Sequence, residues 1–235
     1  MASPKPEIRA LQQERLISIT IGENRKPIQI QQKVLEGASD WFAKALKRDT
    51  FVEGKNGKLN FPDDDVAAWD VLIYWMVNHR MFPNGQERGD VVLVTKCWIL
   101  GDKYDIKPFQ DQAMYKLICY LHCVSIGPSF PADDLNAILR LCPPGSVLGR
   151  IFAEDLANGL AFNAISWDWL AGLDMGHLWK EFCKAKTVLK SNPHWRFANR
   201  RGKPQNDYRP HWTDYMVGGL AENTWAPVQT MDRSD

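Results

Sequence analysis

Between Leu16 and Ile21 apolar and polar side chains alternate, with Ile17, Ile19 and Ile21 on one side and Ser18 and Thr20 on the other. A period of two predicts a half-buried strand. Gly22 to Lys26 supplies a turn, and Ile28-Gln-Ile30 opens a second short strand, which together make a β-hairpin. The period then lengthens. Val34, Leu35 and Ala38 predict a short helix ending at Gly37 or Ala38, and Ser39 is placed to cap the next one. That helix carries Trp41, Phe42, Ala45 and Leu46 on one face. After the turn Gly54 to Gly57, Leu59-Asn-Phe61 predicts a third strand.

Helical spacing dominates the rest. Asp63-Asp-Asp65 opens a helix, since acidic groups there meet free amides and the positive end of the helix dipole. Val66, Trp69, Ile73, Met76 and Val77 line one face of it, with Leu72 and Trp75 beside them. Asp90 starts a further helix with Val91, Val94, Trp98 and Leu100, which Gly101-Asp102 ends or bends. Pro108 suits the first turn of the next, whose apolar face is Ile106, Phe109, Ala113, Leu117 and Leu121. Ile126 to Pro131 is a break. Beyond it, helical stretches run from Asp133 to Leu141 and from Ser146 to Leu160, and a Trp-rich segment at Trp167 to Leu170 leads into a helix from about Met175 to Leu189. Residues 192–235 lose the pattern and read as disordered, or as folding only on contact with something.

Composition narrows the function classes. The chain has 235 residues, 45% hydrophobic and 24% charged, enough for one domain and an appendage. Its net charge of +1 does not indicate a globally basic nucleic-acid binder. No apolar run reaches the roughly 20 residues of a membrane span, and Met1 to Ala10 lacks the apolar stretch of a signal peptide. The expectation is an intracellular protein with no membrane partner. The cysteines, Cys97, Cys119, Cys123, Cys142 and Cys183, are odd in number and scattered, which suits buried thiols in a reducing compartment.

The order of elements predicts an α+β fold, a small mixed sheet sheathed by helices. Ile28 to Phe42 runs from an apolar strand through a Leu to a Ser-x-x-Phe, with Leu35, Ser39 and Phe42 in place, and in this it resembles the signature of the BTB/POZ family. Phe51-Val-Glu-Gly and Gly57 to Phe61 look like its next helix and strand, and Leu100-Gly-Asp-Lys-Tyr-Asp-Ile106 resembles its Leu-Ala-Asp-Lys-Tyr-x-Ile. The resemblance covers about half of the chain. Pro144 to Arg150 looks like a segment that opens a helical extension in BTB proteins of filamentous fungi. The resemblance implies protein binding, self-association as a homodimer and, through an apolar-x-acidic triplet, docking to a cullin scaffold as a ubiquitin-ligase adaptor. Phe51 and Glu53 match that triplet; the bland reading is a Phe closing the domain's own core and a solvated Glu. One departure stands out. Gln31 and Gln32 replace the family's His-Lys pair, which removes a charge used at the dimer interface of many animal members.

Candidate chemistry adds little. Cys119, His122 and Cys123 share a helical face and supply part of a zinc set, with no evident fourth ligand. Asp63 to Asp65 is read as helix capping rather than a metal site. His177 with Cys183 makes no evident nucleophile-base pair, and no glycine pattern marks a phosphate loop. No catalytic, cofactor-binding or metal residue is assigned. Of the ten Trp, Trp41, Trp69, Trp75 and Trp98 are read as core, whereas Trp195, Trp212 and Trp225 fall in the tail as partner anchors or as residues with no role. From Lys180 to Arg209 nine basic residues face two acidic ones, a local charge of +7 with interleaved aromatics. Nucleic-acid contact by this tail is the alternative to protein binding. The expected organisation is a flexible arm at 1–11, a BTB/POZ-like domain at 12–124, a helical extension at 125–190 and a disordered basic-aromatic tail at 191–235.

Overall fold

The isoleucine alternation buries Ile17, Ile19 and Ile21 completely, and the strand that carries them is the centre of the sheet. In the computed structural model, which describes residues 14–23, 26–47, 51–83, 90–123, 126–128, 130–191 and 215–218, this strand is β1 (Leu16–Ile21). It pairs antiparallel with β2 (Ile28–Gln31), Ile17 facing Ile30 and Ile19 facing Ile28. The short helices α1 (Gln32–Ala38), α2 (Asp40–Ala45) and α3 (Val52–Asn56) then carry the chain to β3 (Lys58–Phe61), which lies parallel to β1 on its other side. Ser39 caps α2 as expected, its hydroxyl accepting from the Phe42 amide. The sheet is mixed and the fold is α+β.

Helices α4 (Val66–Asn78), α5 (Val91–Lys103) and α6 (Lys107–Cys123) complete the first half. Two expectations need correction here. The face of α4 centres on Ala68, Trp69, Leu72, Trp75 and Met76, while Val77 is 69% exposed. Apolar residues surround this helix, so their spacing alone does not choose its inward side. Gly101 does not end α5, which runs on to Lys103. A Cβ there would lie 2.9 Å from Gln110 Cβ and 3.1 Å from Gln110 N, so the glycine lets α5 and α6 approach closely. Ile106, just before α6, and Phe109, Ala113, Leu117 and Leu121 on it are buried as their spacing requires. Trp69, Trp75 and Trp98 are core, but Trp41 is 36% exposed, its ring edge-on to Tyr104 at 4.8 Å.

Of the three acids before α4, Asp65 is the cap. Its Oδ1 accepts from the Ala68 amide at 2.9 Å and its Oδ2 takes the Lys96 ammonium at 2.7 Å. Burial works to raise its pKa, but Lys96 and the amides of Ala68 and Ala67 outweigh it and hold the carboxyl below its ordinary value. With the folded pKa depressed, the charge contributes stability above the unfolded pKa, about 3.9, and loses it as pH falls through the folded pKa. Asp65→Asn keeps the cap and removes the charge. The gap between wild type and Asp65→Asn in urea midpoint should therefore close as pH is lowered from about 6 toward about 3. A gap that stays constant would assign the effect to packing.

The second half is helical among the described residues: α7 (Ala132–Leu141), α8 (Val147–Ala161), α9 (Trp167–Ala171), a 3-10 turn (Gly176–Leu178) and α10 (Trp179–Ser191). Trp167 to Leu170 thus forms a short helix of its own, capped by Ser166. Ser146 caps α8, which is buried along most of its circumference. Buried side chains from Ile17 to Tyr215 form a single cluster, so the hydrophobic core runs across position 124 without a break. Within the segment 191–235 the structure describes Ser191 and Tyr215–Gly218. Tyr215–Gly218 rests on the helices, with Tyr215 only 3% exposed. Among the described residues no helix is long and apolar enough to cross a membrane.

Candidate functional site

Phe51, Val52 and Glu53 open α3, a helix too short to persist alone. Contacts at both of its ends hold it in place. Gly54 is buried, and a Cβ added there would meet the Lys47 carbonyl oxygen at 2.2 Å, so the backbone of α3 rests directly on the backbone two residues past the end of α2. At the far end Gly57 adopts a left-handed φ of 64° and its amide donates to the Glu53 carbonyl, closing the helix. Arg15 Nη2 donates to the Lys55 carbonyl at 3.0 Å, a cation at the negative end of the helix.

Held in this way, α3 turns its first residues outward. Phe51 is 48% and Val52 67% exposed, and Glu53 is also in solvent. Phe51 therefore does not close the domain's own core. Leu16, beside Arg15 at the start of β1, is likewise exposed. The arrangement offers an apolar pair with a carboxylate next to it on a fixed backbone, which suits a protein partner with a small apolar pocket. The other two sequence candidates, Trp195 and Trp212, lie outside the described residues.

Compared with known proteins, the chain matches no family model and no curated protein.

The described residues assemble little else with chemical purpose. Cys119 is half-buried, whereas the side chains of His122 and Cys123 lie outside the described residues. No group of three metal-ligating side chains occurs among the described residues. Burial pushes the Cys142 thiol up to about 12, and it donates to the Ile138 carbonyl. Burial and then the Asp65 charge push Cys97 up as well. Neither thiol is ionised near neutrality as a nucleophile would need. A groove of about 940 Å³ runs past Pro128, Phe162, Ile165 and Trp167, with Lys186 Nζ 3.8 Å above the Trp167 ring. Lys186 is the single charged residue of its lining among the described residues.

Two constellations escaped the sequence reading. Asp64 accepts from Trp69 Nε1, the Tyr104 hydroxyl and Lys103 Nζ, and so serves as a hub of the core, not as a cap. Asp111, Arg150 and Glu154 gather around Tyr215–Gly218. Burial raises the Asp111 pKa even though the amides of Val217 and Gly218 work to lower it. The available signal was the apolar run Tyr215 to Ala221 inside an otherwise polar tail.

Proposed function

We propose that this chain is a non-catalytic protein-binding module of BTB/POZ type, and that Phe51, Val52 and Glu53 dock a partner. The exposure of Phe51 and Val52 on a backbone held by Gly54 carries the reading. Single exposed apolar side chains are ordinary. Two in succession on a fixed helix favour an interface. The partner class implied by the resemblance is a cullin scaffold: Phe51 would fill a pocket and Glu53 would set the orientation. Self-association belongs to the same reading, by a route other than the His-Lys pocket. Gln31 stands at the start of α1 and Gln32 is hydrogen-bonded to Glu36 at 2.6 Å.

Phe51→Ala in the full chain should weaken cullin binding about tenfold or more, the effect of truncating an interface anchor. Its urea midpoint should stay near that of the parent, because the side chain is half in solvent. Unchanged affinity in Phe51→Ala and Glu53→Ala, or a parent that binds no cullin, would remove the cullin assignment. Light scattering across concentration tests self-association separately.

A further inference from the structure

Asp111 on α6 and Glu154 on α8 are both buried, and one four-residue segment satisfies the two carboxylates. The Val217 amide donates to Asp111 Oδ1 at 2.7 Å and the Gly218 amide to Oδ2 at 3.0 Å. Successive backbone amides thus grip one carboxylate, as they do in anion-binding nests, with the anion here supplied by the body of the protein. Tyr215 donates its hydroxyl to Glu154 Oε2. Its ring lies under the Arg150 guanidinium, whose Cζ is 4.8 Å from the centroid. Arg150 also pairs with Glu154 at 3.9 Å.

These contacts define a specificity. The first position requires an aromatic ring with a hydroxyl donor. The fourth requires glycine, because a Cβ on Gly218 would lie 2.8 Å from Asp111 Oδ2 and 3.0 Å from Lys107 Cβ. The third supplies an amide while Val217 itself is partly exposed. Of the six tyrosines in the chain, Tyr215 alone has glycine three residues on.

We propose that the cleft formed by Asp111, Arg150 and Glu154 is a binding site for peptides of the pattern Tyr-x-x-Gly with an unmodified tyrosine hydroxyl, filled in cis by Tyr215–Gly218 and available to a partner segment of the same pattern once the cis segment leaves. Phosphorylation of the tyrosine excludes a peptide, since it removes the donor and sets a dianion against Glu154. The cis segment is carried on the same chain, so it competes intramolecularly with any peptide in trans.

The test uses a labelled synthetic peptide spanning His211 to Ala221, titrated by fluorescence anisotropy into the full chain and into full-length Gly218→Val. The variant, which cannot seat its own segment, should bind the peptide about tenfold more tightly than wild type. Peptides carrying Tyr215→Phe or phosphotyrosine should lose about tenfold or more in affinity for that variant. Equal affinity of the two chains, or full retention by the phosphopeptide, overturns the proposal. A measurement on wild type alone can overturn the proposal even if the variant folds poorly. The amides of Val217 and Gly218 should be protected from hydrogen exchange, and exchange at the rate of a free peptide overturns it.

Discussion

Replacing Asp64 with alanine should destabilise the protein by about 3–5 kcal/mol, read from urea unfolding followed by tryptophan fluorescence. The carboxylate has only 5% of its side-chain surface in solvent. It accepts from Trp69 Nε1 at 2.8 Å, from the Tyr104 hydroxyl at 2.5 Å and from Lys103 Nζ at 2.6 Å. Around it the rings of Phe42, Phe61, Trp69 and Tyr104 pack with centroids 4.8 to 6.2 Å apart. Asp64 is the acceptor for both the Tyr104 and the Trp69 donors. Burial, and after it the hydrogen bond and charge of Asp64, raise the Tyr104 pKa, so the hydroxyl stays a donor throughout the neutral range.

Deleting the acceptor leaves two buried donors unpaired at about 1–3 kcal/mol each. Lys103 returns to water cheaply, because its side chain is already half exposed. Tyr104→Phe removes one donor and keeps the carboxylate paired with the other two, so it should cost only about 1 kcal/mol. The double variant should cost less than the sum of the singles by roughly 1 kcal/mol or more, because the hydroxyl stranded by the first change is gone in the second. If Asp64→Ala loses less than about 1 kcal/mol, the cluster relaxes or admits water and Asp64 is not its hub.

Asp64 also shows where sequence reasoning stops. Three consecutive acids before an apolar helix look alike, and a capping rule serves Asp65 well. Nothing local distinguishes Asp64, whose partner Tyr104 lies 40 residues away. The strands, the cap at Ser39 and the helix start at Asp90, whose Oδ1 accepts from the Val92 amide, were legible because each depends on neighbours a few residues along the chain. The inward face of α4 was not, since Val66 to Val77 offers an apolar residue in nearly every direction. Trp41 sits on the right helical stripe but at its rim, and stripe membership does not report depth. At Gly101 the sequence leaves a helix end or a bend open, because a glycine that ends a helix and one that admits a neighbouring helix look the same in sequence. At the candidate site, the triplet Phe51 to Glu53 was visible, but the contact that turns it outward is between backbones and leaves no side-chain signature except Gly54 itself.

That contact makes Gly54→Ala the sharpest test of the site. A Cβ on residue 54 would stand 2.2 Å from the Lys47 carbonyl oxygen, 2.6 Å from its carbon and 3.0 Å from the Leu46 carbonyl carbon. All three are backbone atoms, so no rotamer change relieves the clash and α3 must move away by roughly an ångström. The expected cost is about 2–4 kcal/mol, at or above the upper end for overpacking. Phe51 and Val52 move with the helix, so partner affinity should fall more than tenfold with neither side chain altered, as happens when a supporting shell shifts an anchor. Gly37→Ala provides the contrast. It too is a helical glycine, in α1, but its added Cβ has nothing within 4 Å. Alanine there should be neutral or stabilise by up to about 1 kcal/mol through helix propensity, with binding unchanged. If Gly54→Ala matched Gly37→Ala in both stability and affinity, α3 would not be held by Lys47, and the outward pose of Phe51 would lose its physical cause.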